Sequence, residues 1–140
     1  MEPQTLIITN IREQARNTRS FDLKPHGISG HHGLTFSPGQ VAILKVAPDE
    51  QGYFAFASAP DDTDLEVLVK QKIGASKLIF DMVPGQSIEL TGIAGHGFDL
   101  SEQRRRDLVF VAMGTGVAPL RSALRHVLKR KDDYGQLVVL

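Results

Sequence analysis

The chain has 140 residues, 41% hydrophobic and 23% charged, and its 16 basic and 16 acidic side chains cancel. Such globular composition excludes collagen-like and disordered chains, and the length suits one domain with part of a second. Zero net charge leaves no field to collect nucleic acid or an anionic membrane, and the absence of Cys excludes disulfides, zinc–thiolate sites, iron–sulfur ligation and a thiol nucleophile.

Up to about residue 100 the punctuation is of β type. Thr5–Arg12 alternates loosely, with Leu6, Ile8 and Ile11 apolar, and Arg19–Leu23 is a second short strand candidate. Pro25–Ser37 carries three Gly, three His and no periodicity, which predicts a loop. Gln40–Val46 is a strand opened by the turn dipeptide Pro38-Gly39. Tyr53–Ser58 and Asp64–Lys70 are further strands, the latter with Leu65, Val67 and Val69 facing inward. Ser76–Met82 has helical spacing, with Phe80 and Met82 expected in the core, and Pro84-Gly85 ends it before a strand over Ser87–Thr91. Six short strands predict a mostly β fold, a small closed barrel or sandwich over residues 1–100.

Residues 101–107 form a charged linker with Arg104, Arg105 and Arg106. Leu108–Met113 is a continuous apolar run, the pattern of a strand buried on both faces. Gly114-Thr115-Gly116, a helix over Ala118–Lys131, the turn residues Asp132 and Asp133, and a strand over Leu137–Leu140 complete a βαβ unit, the opening of a parallel α/β sheet. A lone unit of this kind exposes two sheet edges and covers one face. The expectation is a fragment of a larger protein, or an α/β unit completed by something else, with self-association as a homodimer through Leu108–Leu140. The amino terminus, Met-Glu-Pro-Gln, lacks the basic and apolar regions of a signal peptide. No apolar stretch approaches the ~20 residues that span a bilayer, so a cytoplasmic protein without membrane or nucleic-acid partners is expected.

The strongest motif is Gly114-Thr115-Gly116-Val117-Ala118-Pro119, between a buried strand and a helix. Glycine lets the backbone approach a phosphate, and free N–H groups at a helix start favour an anion. The alternative is an ordinary tight turn between strand and helix. Pro119 suits the first helical turn.

These residues also carry a family likeness. Phe36-Ser37-Pro38-Gly39-Gln40, the stretch from Pro84-Gly85-Gln86 to Gly92-Ile93-Ala94-Gly95-His96-Gly97-Phe98, and Gly114–Pro119 occur in the order of matching motifs in the ferredoxin–NADP reductase superfamily. The chain resembles that superfamily over nearly its whole length, and over about the first third of the family's second domain. Phe54-Ala55-Phe56-Ala57-Ser58-Ala59-Pro60 with Gly97-Phe98-Asp99 looks closest to the plant "fruit protein" branch. The resemblance implies a six-stranded antiparallel Greek-key flavin-type barrel over residues 1–100. It also implies an incomplete nicotinamide-nucleotide α/β unit over 108–140.

The chain departs from the family at the flavin motif, an Arg and an aromatic residue followed by Ser. Gly52 stands at the Arg position, Phe54 at the aromatic and Ala55 at the first Ser, and Ser58 matches the second. A lost charge-assisted phosphate contact is worth about 1.5–3 kcal/mol. The family's second phosphate loop is matched by Ile73, Gly74, Ala75 and Ser76, with Gly one residue late and Ser76 as a helix cap. Lys70, Lys72 and Lys77 either replace the missing charge or form a solvated rim.

The resemblance thus implies a flavin-dependent NAD(P)H oxidoreductase or electron-transfer module, part of a larger reductase. Phe54, Ala55 and Ser58 would border the flavin ring, and Ile73–Ser76 its diphosphate. Gly114–Pro119 would meet the nicotinamide nucleotide. FAD would be held weakly or not at all by this chain, NAD(P)H would serve the full-length parent, and an electron acceptor would follow. No side chain is expected to act as a catalytic acid or base, since the chemistry is the cofactor's, and no metal site is expected. The alternative is a non-catalytic binding or interaction protein on a degenerate reductase fold. His26, His31 and His32 share a loop without a carboxylate; His96 reads as a loop residue or as facing the flavin ring or the domain junction, and Arg104–Arg106 as a charged linker or as contacts to a 2′-phosphate or an acidic partner.

Overall fold

The computed structural model describes residues 1–140. Six antiparallel strands make one sheet: β1 (Gln4–Ala15), β2 (Thr18–Pro25), β3 (Val41–Ala47), β4 (Glu50–Ala55), β5 (Leu65–Lys70) and β6 (Ser87–Ala94). Their order is β4-β3-β6-β1-β2-β5. The two ends meet where Phe56 bridges Val67 and the Ala57 N–H donates to the Glu66 carbonyl at 2.8 Å. This contact closes the sheet into a barrel and leaves β6 beside β3, a Greek-key return.

Alternation explains the barrel. Leu65, Val67 and Val69 of β5 are fully buried while Glu66 and Leu68 are partly exposed and Lys70 is exposed. The same period of two sends Leu6 and Ile8, Phe21 and Leu23, and Ile88 and Leu90 into a core of 17 buried residues. Every predicted barrel strand is present, and β1 and β4 differ most in extent. β1 runs on through Ala15 to a tight turn where Asn17 takes φ 55°, and β4 begins at Glu50. Residues 56–58 instead leave β4 toward β5. Gly39 has φ 95°, and a Cβ there would meet the Phe98 ring at 2.9 Å, so only glycine suits this turn.

Residues 26–37 carry no regular element. Within them His32 is buried, 5.9 Å from the Phe36 ring, which stacks on Phe56 at 4.0 Å. His26 is exposed, and His31 lies 2.9 Å from the Pro60 carbonyl oxygen.

Helix α1 (Ala75–Phe80) covers one end of the barrel, with Ile79 and Phe80 buried in the core and Met82 packed against it. Arg19 secures it, donating to the Phe80 carbonyl at 2.8 Å with its guanidinium 4.2 Å from the Phe80 ring. The expected cap at Ser76 is not what forms. Gly74 is the N-cap, and Ser76, inside the first turn, donates to the Ile73 carbonyl at 3.1 Å. The φ of 70° at Gly74 makes the sharp entry that starts the helix one residue early.

Beyond the barrel, β7 (Leu108–Phe110) and β8 (Leu137–Val139) pair in parallel, joined through α2 (Val117–Leu128). Phe110 packs with Leu100, Ala123 and Val127 in a separate small cluster. The apolar run at 108–113 is not a strand buried on both faces. Only three residues pair, and Val109, Val111 and Met113 are exposed, because α2 covers the Phe110 side of this two-stranded sheet alone. Arg104, Arg105, Arg106, Asp132 and Asp133 are exposed. No helix is long and apolar enough to cross a membrane.

Candidate functional site

A cleft of about 560 Å³ opens where three segments converge: β4, the loop from Lys70 into α1, and the turn into α2. That volume is in the range of small-molecule sites, about 300–1,000 Å³. It is lined by Phe54 and Ala55 from β4, by Ile73, Gly74, Ala75 and Ser76, and by Thr115, Gly116, Ala118 and Pro119. Ten of the thirteen residues singled out from sequence therefore share one cavity.

Gly114 and Val117 are exposed and lie outside the lining. Ser58 is buried elsewhere. Its hydroxyl accepts the Glu66 N–H at 2.9 Å, and its carbonyl accepts the Ser122 hydroxyl at 2.6 Å. Both its polar groups thus join β4 to β5 and to α2.

Phe54 belongs to the barrel core and is 8% exposed. Its ring lies across Gly52, where a Cβ would come within 2.9 Å of it and 3.2 Å of the Ala75 methyl. Val41 and Leu68 extend this apolar wall.

The cleft's charged groups are Lys70, Lys72 and Glu50. Neither lysine has a carboxylate within ion-pair distance, whereas Lys24, Lys45, Lys129 and Arg12 do. Glu50 stands toward Gly74, whose Cβ position is 3.3 Å from its Oε2. The two cations are therefore free to meet an anion. Sequence reading did not single out Glu50, Tyr53 or Val41, which also line the cleft; alternation puts Glu50 on the Phe54 face of β4, and register puts Val41 on the Tyr53 and Ala55 face.

Helix α2 brings the glycine turn to the cleft because it is seated on the barrel. Arg125 Nε and an Nη donate to the two carboxylate oxygens of Asp62 at 2.8 and 2.9 Å, and Lys129 Nζ reaches Asp62 at 2.8 Å. Arg121 donates to the Ala57 carbonyl at 2.9 Å and pairs with Glu66 at 3.0 Å. Burial opposes ionisation of Asp62, but these donors and the Ala59 N–H outweigh it and hold the carboxyl well below its ordinary range. Away from the cleft, His96 lies beside Asp99 at 3.2 Å.

No family model matches the sequence. The chain is 34% identical over 97 residues to the ferredoxin–NAD(P)+ reductase component of a naphthalene 1,2-dioxygenase system from Pseudomonas putida, covering 67% of this chain and 29% of that protein. It is 26% identical over 121 residues to the sulfhydrogenase 2 gamma subunit of Pyrococcus furiosus, covering 86% and 42%. The fold matches phthalate dioxygenase reductase with a TM-score of 0.81 at 19% identity, over 98% of this chain and 43% of that one. The chain thus spans less than half the length of these relatives. In sequence and in fold the chain belongs with the ferredoxin–NAD(P) reductases and related FAD/NAD-binding proteins, its six-stranded sheet matching their barrel.

Proposed function

We propose that the cleft is a nucleotide site of a flavin-dependent electron-transfer module. In this reading residues 1–100 form the flavin barrel, 101–107 a linker, and 108–140 the opening of the nicotinamide-nucleotide unit. The observation that carries it is the convergence of Phe54–Ala55, Ile73–Ser76 and Thr115–Pro119 on one cavity with two unpaired lysines. A ring system fits against Phe54, Val41 and Leu68, and a phosphate fits beside Lys70 and Lys72. A bound flavin supplies two-electron exchange with NAD(P)H and onward delivery to an acceptor, chemistry that belongs to the cofactor.

The chain's own residues have simpler tasks. Phe54 forms an apolar floor that excludes water. Lys70 and Lys72 supply charge to the phosphates. Gly74 and Gly116 let the backbone come close on opposite walls, with Gly114, Val117 and Ser58 supporting them from outside the cavity. The likeness to the fruit-protein branch, a cytoplasmic location and a homodimer through Leu108–Leu140, whose Val109, Val111 and Val138 form an exposed face, complete the reading.

A second reading rests on Gly52 and Phe54. Because the ring fills the space beside Gly52, no arginine contact to phosphate is available on β4. A barrel that binds flavin weakly or not at all, and serves as an interaction module, follows from that packing. Equilibrium dialysis with FAD, FMN and NADPH separates the two. Saturable FAD binding supports the first reading, and no uptake supports the second.

A further inference from the structure

We propose that Asp62 is a positioning residue that seats α2 on the barrel and so sets the gap between Thr115–Pro119 and Lys72–Ser76 across the cleft. The proposal rests on the nucleotide-site reading for its consequence in binding, while the seating itself is a matter of geometry.

Arg121, Arg125 and Lys129 recur every four residues, which places them in one stripe along α2. The stripe faces the acids of the β4–β5 connection and β5. Asp62 is its centre. Its side chain is only 12% exposed, and it accepts the Ala59 N–H at 2.8 Å, the Nε and one Nη of Arg125, and the ammonium of Lys129. One carboxylate thus closes its own turn at 59–62 and holds two cations a helical turn apart. Planar two-point pairing of this kind fixes orientation as well as distance.

The outer contacts are looser. Lys129 reaches Asp61 at 3.2 Å and Arg130 reaches it at 3.9 Å. Glu66 adds a second point, shared by Arg121 at 3.0 Å and Arg12 at 2.7 Å. Beneath the stripe Ala118 and Ser122 are buried and small, so the helix backbone comes close enough for the Ser122 hydroxyl to reach the Ser58 carbonyl.

The anchoring residues 121–129 cover about 12 Å of helix at 1.5 Å per residue. They follow the exposed Gly114–Gly116 turn by one helical turn of α2, and the turn's own residues bury no side chain. Releasing the stripe leaves the barrel wall of the cleft in place and frees the other wall to move.

The test compares the 140-residue chain with Asp62→Asn, Asp62→Glu and Arg125→Ala. The readouts are amide hydrogen exchange, FAD dissociation constants, and NADH and NADPH dissociation constants at low and high salt. In Asp62→Asn and Arg125→Ala, amides of residues 112–118 are expected to exchange about tenfold faster while β1, β2 and β6 are unchanged. The nicotinamide-nucleotide constant is expected to rise about fivefold with the FAD constant within about twofold, and Asp62→Glu to restore part of the loss. High salt should weaken nucleotide binding in the unmodified chain and have less effect in Arg125→Ala.

Unchanged exchange at 112–118 overturns the proposal, and so does acceleration spread evenly over the barrel, which would make Asp62 a general stability residue. If the unmodified chain takes up neither ligand, the nucleotide-site reading fails and the exchange pattern alone decides the seating of α2.

Discussion

The ring of Phe54 lies against the bare backbone of Gly52, with 2.9 Å between its Cε2 and the place a Cβ would occupy. Glycine and phenylalanine two apart on one strand share a face, so the small residue makes room for the large one. The aromatic residue of the cleft is thereby drawn into the barrel core.

Gly52→Ala should therefore lower stability by about 1–3 kcal/mol through overpacking against Phe54 and Ala75. Phe54→Ala alone should cost about 3–5 kcal/mol. Urea unfolding of both single variants and the double variant checks the coupling. The cost of Gly52→Ala should largely vanish once the ring is gone.

If Lys70 and Lys72 meet the phosphates, the double variant Lys70→Ala/Lys72→Ala should weaken FAD binding by about ten- to a hundredfold, the equivalent of one lost charge-assisted contact. Isothermal titration measures it. Lys77 has the same charge outside the cleft. Lys77→Ala should bind as the unmodified chain does.

Ser122→Ala should destabilise the chain by about 1–3 kcal/mol, because the Ser58 carbonyl is then left buried without its donor. Thermal unfolding gives the value. A shift near zero would mean that water replaces the hydroxyl.

Acidification should act in two windows. Burial, followed by the charge on His31, holds the His32 imidazole below its ordinary value, and burial does the same to His126. Unfolding then takes up protons, so stability should fall as pH drops below the ordinary histidine value of about 6.5. The His32→Phe variant should flatten part of that slope, with His126→Gln removing more. Asp62 has a depressed carboxyl, so its contribution is complete above the ordinary Asp value of about 3.9 and is lost below it. Melting temperatures from pH 3 to 8 separate the two windows, and Asp62→Asn should flatten the lower one alone.

The barrel was largely legible in the sequence because its strands bury one face. The alternation of Leu65, Val67 and Val69 reads directly as β5. β7 misled for the converse reason. Six consecutive apolar residues imply cover on both faces, and composition does not record that Val109 and Val111 face away from α2. At the site, motif order located ten lining residues. Motif register could not show that Ser58, two residues beyond the bridge at Phe56, turns its hydroxyl to the β5 backbone. The seating of α2 was present as a spacing, with Arg121, Arg125 and Lys129 one helical step apart, but its acidic counterpart lies some sixty residues earlier in the chain.

The central claim, that this cleft takes a flavin nucleotide, is tested most directly by titrating the purified chain with FAD while following its visible absorption band and the backbone amide signals. The account predicts a saturable shift of the band, with amide changes confined to Phe54–Ala55, Lys70–Ser76 and Thr115–Pro119. An unshifted band together with an unperturbed cleft would contradict it.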